Sequence, residues 1–404
     1  MNLELLYGKN YDREKALNRI SEIKKQFFTC ENEQPTAVFS SSGRAEILGN
    51  HTDHNHGKVI VAAIGCDILA AVKKRDDGKI KICSEGFSDI FIDISDIEIN
   101  KEEYGTSTAL TRGVIAGIKQ EGYNFNGFTA YITSTIFKGA GVSSSAAFEL
   151  LICEIINTLY LGGALNPVEK AVISQMSENL FFGKPCGLLD QMGISLGGFN
   201  MLDFNNPSMP VIEKTQAPEG YTLVITNTGG DHANLTEHYA AIKTEMHQIA
   251  EFFGRKFLRD VPFIDFFDNI HTLKNNFSER AILRAFHFYN ENERVEKAAL
   301  SLKNKATAEF LKIVTSSGDS SLNCLQNCYV PGETVQPIPL AIQITKQCVK
   351  DGGVRVHGGG FAGTVLAFVK AEEVSGYVTI MSNIFGKENV FETAVREVGA
   401  CQVE

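Results

Sequence analysis

Between Lys138 and Ala147 the chain reads Lys-Gly-Ala-Gly-Val-Ser-Ser-Ser-Ala-Ala, which sets two glycines and three consecutive serines directly before an apolar run. Ala147, Leu150, Leu151, Ile155 and Leu159 then recur at three- and four-residue intervals, so a buried helix begins at Ser143. The first amides of a helix have no internal partner, and with the positive end of the helix dipole they attract phosphate. Glycine lets a phosphate approach the backbone without meeting a Cβ, and serine hydroxyls add donors and a magnesium ligand. This is not a Walker loop, because the G-K-[ST] ending is absent. An ordinary serine N-cap after a glycine turn produces the same local pattern.

Two further segments carry chemistry. Gly43 to Gly57 reads Gly-Arg-Ala-Glu-Ile-Leu-Gly-Asn-His-Thr-Asp-His-Asn-His-Gly, a dense polar stretch between β-rich flanks. Its amide, imidazole and carboxylate groups suit a polyhydroxylated ligand. Metal ligation by His51, Asp53, His54 and His56, as in a hydrolase, is an alternative, and a solvated turn is another. Ser177 to Gln191 places Glu178 and Asp190 in a mostly apolar context, one suited to hold a cation and the other to face a substrate hydroxyl. Helix-surface acids would also account for them.

The 404 residues leave room for two or three domains, and 38 basic against 48 acidic residues give a formal charge of −10 that opposes a polyanion partner such as nucleic acid. The first ten residues carry a glutamate and a lysine without an apolar core, so no secretory signal is expected. Val59 to Val72 is interrupted by Asp67 and is shorter than the roughly 20 residues of a membrane span, so it reads as buried strand. Nine scattered cysteines without a C-x-x-C pair indicate reduced thiols in a cytoplasm. Cys186 lies beside the polar segment, and packing is the expected role for it.

Strands are expected over 59–63, 68–72, 79–83, 90–94 and 221–226, and a strand, glycine-rich turn and strand over 353–369. A second long helix is expected over 282–299. Because strands and helices alternate without regular βαβ spacing, the pattern predicts α+β with two domains that divide near residue 205.

In this order, the three segments and the turn Val356-His357-Gly358-Gly359-Gly360-Phe361-Ala362-Gly363-Thr364 resemble the galactokinase branch of the GHMP small-molecule kinases. Asn290 to Val295 and the stretch Leu235 to Glu245 around Tyr239 fall where that branch has counterparts, so the resemblance spans about 36–400. It implies a two-domain fold, with a ribosomal protein S5 domain 2-like N-terminal domain over 1–205 and a ferredoxin-like C-terminal domain over 206–404. It also implies ATP and a monosaccharide in the cleft, with phosphate transferred to the anomeric hydroxyl of galactose. Asp190 matches the proposed catalytic carboxylate and Arg44 the cation beside it. Ser145 and Glu178 match the magnesium-holding pair, and Gly139, Ala140, Gly141, Val142, Ser143, Ser144 and Ser145 the nucleotide phosphate loop. Asn50, His51, Asp53, Gly187 and Tyr239 match sugar-contacting positions. The resemblance leaves the oligomeric state open, with a monomer favoured.

Several residues depart from the family pattern. Asn50 stands where these kinases carry glutamate, Glu46 where they carry asparagine, His54 where tyrosine is usual, and Ser42 and Phe137 where proline is found. The stretch Thr106 to Thr111 lacks the usual tryptophan and tyrosine near adenine. A kinase of another monosaccharide, and a kinase-like sugar sensor with little turnover, are the alternatives that follow.

Overall fold

The computed structural model describes residues 2–136, 141–230, 235–361 and 363–404. The strands are β1 Ala37–Leu48, β2 Lys58–Lys74, β3 Lys79–Ser84, β4 Ile90–Asp93, β5 Phe128–Ser134, β6 Phe199–Asp203, β7 Val211–Thr215, β8 Tyr221–Asn227, β9 Gly353–His357, β10 Thr364–Lys370, β11 Val390–Thr393 and β12 Cys401–Gln402. They form two sheets. The first runs β12-β1-β2-β5-β3-β4, with β6 and β7 continuing from the other end of β2, and its β3–β5 pair is parallel. The second runs β11-β8-β10-β9 with antiparallel pairing.

The α+β expectation is met. The division expected near residue 205 falls between β6 and β7, which pair across it from Phe199↔Thr215 to Asp203↔Val211 and carry the first sheet onward. The last strand, β12, returns to the first sheet beside β1.

The stretch 59–72 is buried strand as expected, but as the single strand β2 rather than as the two short runs 59–63 and 68–72. Asp67, which prompted the break, is fully buried, yet its carboxylate accepts from Tyr7 Oη at 2.8 Å, Arg19 Nη2 at 2.9 Å and Ser40 Oγ at 2.7 Å. A buried acid whose oxygens are paired need not interrupt a strand. A register shift between Ser42 and Gly43 absorbs the irregularity, and β1 pairs with β2 on both sides of it.

β1 was missed altogether, because Ser40, Ser41, Ser42, Arg44 and Glu46 erase the apolar alternation that marks a strand. Every residue of β1 is nevertheless buried. Helices Ser107–Gln120, Ser144–Tyr160 and Pro167–Met176 cover one face of the first sheet, and Arg13–Glu31 packs Ile20, Ile23 and Phe27 on Val38, Leu69 and Ala71 of the other.

One core joins the sheets. Ile225, Leu366 and Phe368 of the second sheet pack with Val295 and Phe310 and are continuous with Ile47, Ile60, Leu150 and Leu151 of the first half. At roughly 1.5–3 kcal/mol for each fully buried large aliphatic or aromatic side chain, this continuity favours a fixed relation between the halves. Polar contacts reinforce it: Gly49 N donates to Glu291 Oε1 at 3.0 Å, and Lys58 N donates to Asn292 Oδ1 at 2.6 Å. Both acceptors lie on the helix Glu279–Lys303, which extends beyond the expected 282–299.

Candidate active site

Arg44 sits on β1 with its side chain 7% exposed, and it ties together two of the segments singled out above. Its Nε donates to Asp190 Oδ1 at 2.7 Å, its Nη1 donates to the Gly141 carbonyl, and its backbone amide donates to the Val142 carbonyl at 3.1 Å. Ser143 Oγ donates to the other Asp190 oxygen, Oδ2. The serine loop and the aspartate therefore meet directly, with the guanidinium bracing both.

Ser143 caps nothing with its side chain, so the N-cap alternative fails at this residue: its hydroxyl is directed at Asp190 and its φ is 63°. A non-glycine residue in the left-handed region costs about 1–3 kcal/mol, and such strain gathers where function fixes the backbone. Among the described residues, no hydrogen-bond acceptor is found for the amides of Ser144, Ser145 and Ala146, as expected for the first turn of the helix Ser144–Tyr160. Gly139 and Ala140 of the expected loop lie outside the described residues.

Behind the loop, Ser145 Oγ donates to Glu178 Oε1 at 3.0 Å. Glu178 belongs to a π-helical turn, Ser177–Phe181, and its side chain is 1% exposed. Lys184 Nζ donates to the same oxygen at 2.9 Å, and Gln191 Nε2 donates to Oε2 at 2.8 Å. A hydroxyl and a carboxylate within reach of one point are hard oxygen donors of the kind magnesium takes when phosphate oxygens complete its shell. The ammonium of Lys184 on Oε1 shows that this buried carboxylate is placed to hold positive charge.

The segment expected to meet a sugar divides in two. Asp53 lies in a short helical turn, Asp53–Asn55, and accepts from His54 N at 2.9 Å. It lies against Gly187, where a Cβ would fall 1.7 Å from Asp53 Oδ2. His51 Nε2 meets the Gly359 carbonyl at 3.0 Å, which makes that nitrogen the donor. Tyr239 Oη donates to the Gly360 carbonyl at 3.0 Å, and its ring meets Phe361 edge-on at 5.3 Å. The glycine-rich turn between β9 and β10 thus anchors His51 and Tyr239 from the second sheet.

Asn50 departs from expectation. It is fully buried, and its Nδ2 donates to Glu46 Oε1 at 2.7 Å and to the Gly358 carbonyl at 2.8 Å. Its Oδ1 accepts from Asn327 Nδ2 at 2.8 Å and Ser321 Oγ at 3.2 Å, and its carbonyl meets His287 Nε2 at 2.9 Å. Two donors and two lone pairs are an amide's full capacity, so Asn50 fastens the loop and presents nothing to a sugar.

The histidines do not converge on a metal. His54 Nδ1 accepts from Asn55 Nδ2 at 3.0 Å, and His56 stacks on Phe257 at 3.7 Å. Among the described residues, no group of three or more His, Cys, Asp or Glu side chains is arranged to hold an ion. Glu46, Lys184 and Gln191 lie inside the segments singled out in the sequence, which assigns them no role of their own. Glu46 carried a signal, since it lies two positions from Arg44 on what is now seen to be a strand.

Burial alone would raise the Asp190 carboxyl, but the Arg44 guanidinium and the Ser143 hydroxyl outweigh it and hold it below the ordinary carboxylate value. Asp53 goes the other way: burial, then the charges of Glu46 and Asp190, push it up to about 6. Burial and the surrounding acids Glu178, Asp190 and Glu149 push the Cys186 thiol far up, which fits packing.

Residues 25–74 match the galactokinase galactose-binding signature, and residues 109–198 match the GHMP kinases N terminal domain. A galactokinase of Clostridium tetani is 30% identical over 91% of this chain and 93% of its own length. One of Glaesserella parasuis is 31% identical over 86% and 88%. Among solved structures, Lactococcus lactis galactokinase complexed with galactose superposes with a TM-score of 0.83 at 24% identity, covering 95% of this chain and 99% of that one. A mevalonate kinase superposes with a TM-score of 0.63 at 16% identity, covering 89% and 99%.

Proposed function

Because the chain belongs to the galactokinase family of GHMP kinases, we propose that it phosphorylates galactose with ATP at the anomeric hydroxyl, through the cleft walled by the serine loop, Asp190 and the glycine-rich turn. The observation that carries this reading is the double engagement of Asp190, by Arg44 from the sugar signature and by Ser143 from the phosphate loop. A carboxylate beside the phosphate cradle is where a sugar hydroxyl and a terminal phosphate have to meet.

Phosphoryl transfer passes through a loose transition state with charge spread over the phosphoryl oxygens, so positioning and electrostatics outweigh early proton removal. Asp190, held ionised by Arg44, orients the anomeric hydroxyl and receives its proton as the new bond forms. Arg44 also balances charge where acid and phosphate crowd together. The first-turn amides of Ser144 to Ala146, with the described loop residues 141–143, cradle the nucleotide phosphates. Asp53, His51, Gly187 and Tyr239 hold the sugar, with Asp53 accepting from a hydroxyl and Gly187 leaving room for the ring.

Ser145 and Glu178 would hold Mg²⁺, whose chemistry here is charge neutralisation on the β- and γ-phosphates. The cytoplasmic assignment rests on nine cysteines, all free. Among the described residues no helix is long and apolar enough to cross a membrane.

The test is ADP release across a panel of monosaccharides with ATP and magnesium, followed by identification of the phosphorylated carbon. Galactose-dependent release with phosphate on C1 is expected. ADP release independent of sugar, or sugar binding without turnover, would overturn the assignment.

A further inference from the structure

Resting on the galactose-kinase reading, we propose that Glu46, rather than residue 50, supplies the second carboxylate acceptor for the sugar, so that this chain reads its substrate with Glu46 and Asp53 together.

The placement follows from strand geometry. Side chains two apart on a strand share a face, and β1 keeps an unbroken register with β2 from Arg44↔Ala63 to Glu46↔Val61. Glu46 therefore projects to the side where Arg44 meets Asp190 and Gly141. Its backbone is pinned by Glu46 N donating to His357 Nε2 at 3.1 Å. Its carboxylate is fixed through one oxygen only: Oε1 accepts from Asn50 Nδ2 at 2.7 Å and from Arg355 Nη2 at 3.1 Å. Among the described residues, Oε2 accepts nothing, and it is not one of the sealed buried atoms that lack a partner. An oriented carboxylate with one oxygen held and the other open is what recognises a hydroxyl donor.

Two neighbours lie within reach of its charge: Asp53, which burial and then Glu46 push up, and His51, which burial lowers against the opposing pull of Glu46. Residue 50 has nothing left to offer, because all four hydrogen-bonding positions of its side-chain amide are used inside the protein. The two departures noted in the sequence, glutamate at 46 and asparagine at 50, are thus one hydrogen-bonded unit, in which Asn50 orients the carboxylate that Glu46 presents.

The experiment measures galactose binding calorimetrically without ATP, so that a failure of phosphoryl transfer and a failure of this inference are read separately. Wild type and Glu46→Gln are compared at pH 8 with galactose and with its deoxy and fluoro analogues at each carbon except C1, and folding is checked by thermal melting. A site built to accept from a hydroxyl rejects an analogue that cannot donate, and fluorine cannot donate.

Glu46→Gln should weaken galactose at least tenfold and leave ATP affinity within twofold. The penalty for removing one particular hydroxyl should disappear in the variant. Galactose affinity within twofold of wild type, or a deoxy profile parallel to wild type, would overturn the proposal. If Glu46→Gln does not fold, the wild-type panel decides. Fluorine at two separate carbons should then weaken binding as much as deoxygenation does, one for Asp53 and one for Glu46, and a single such carbon counts against it.

Discussion

Asp190 accepts two hydrogen bonds that keep it ionised and aimed, and in the proposed reaction its removal takes away a group whose effect is felt only as the sugar oxygen begins to bond. Asp190→Ala and Asp190→Asn are expected to lower kcat about 10²–10⁴-fold, with melting temperature little changed and ATP affinity kept, as steady-state kinetics and calorimetry would show. Asp53 titrates where it can be watched. Its folded value, about 6, lies above its ordinary one, 3.8, so between the two the folded state binds more protons than the unfolded state. The stabilising contribution of that proton is full below about pH 4 and is lost as pH rises through about 6. Sugar recognition runs in the opposite sense, since an ionised Asp53 is the better acceptor. Galactose kcat/KM should rise through about pH 6 and level off above it, and Asp53→Asn should remove that inflection. Asp190 and Asp53 were both legible as candidates in the sequence. Their opposite shifts were not, because Arg44 is 146 positions from Asp190 and only the fold brings them together.

Two elements hold the site by close approach. The segment leading into the helix Leu189–Leu196 passes Asp53 at Gly187, and a methyl group there would overlap the carboxylate. Gly187→Ala is expected to raise galactose KM at least tenfold while ATP KM stays within about twofold, a split read from initial rates and of the size a methylene misfit of about 1–3 kcal/mol gives. The loop after β1 is fastened through Asn50 to residues from three other parts of the chain. Asn50→Ala leaves several buried groups without partners, at about 1–3 kcal/mol each, so its main effect should be a lower unfolding free energy in denaturant titrations. The polar run 43–57 was read as one functional segment. Its first part proved to be buried strand, because pairing with β2 on one side, and on the other the Arg44 amide donating to the Val142 carbonyl and the Glu46 amide donating to His357 Nε2, satisfy a backbone whose side chains carry no strand pattern.

At the scale of the molecule, the cleft is walled by both sheets: Arg44, Asp53 and Asp190 come from the first half, and the turn after β9 meets His51 and Tyr239 from the second. Ligands that bind this arrangement and not the unfolded chain stabilise it by mass action, by about 2.7 kcal/mol at one hundred times Kd. Galactose with a non-hydrolysable ATP analogue and magnesium should therefore raise the melting temperature by more than either ligand alone, and Glu178→Gln should abolish the magnesium-dependent part of that rise. The sequence by itself pointed to the glycine- and serine-rich helix start and to the acid pair, because each depends on spacing within one short stretch, and to the α+β class through the order of strand and helix patterns along the chain. Tertiary structure alone decided that β2 runs unbroken through a paired Asp67, that Ser143 serves Asp190 rather than its own helix, and that Asn50 is spent on the loop while Glu46 keeps an open oxygen. A side chain's hydrogen-bonding capacity is exhausted or left free only by partners far along the chain, and no local pattern records which of the two has happened.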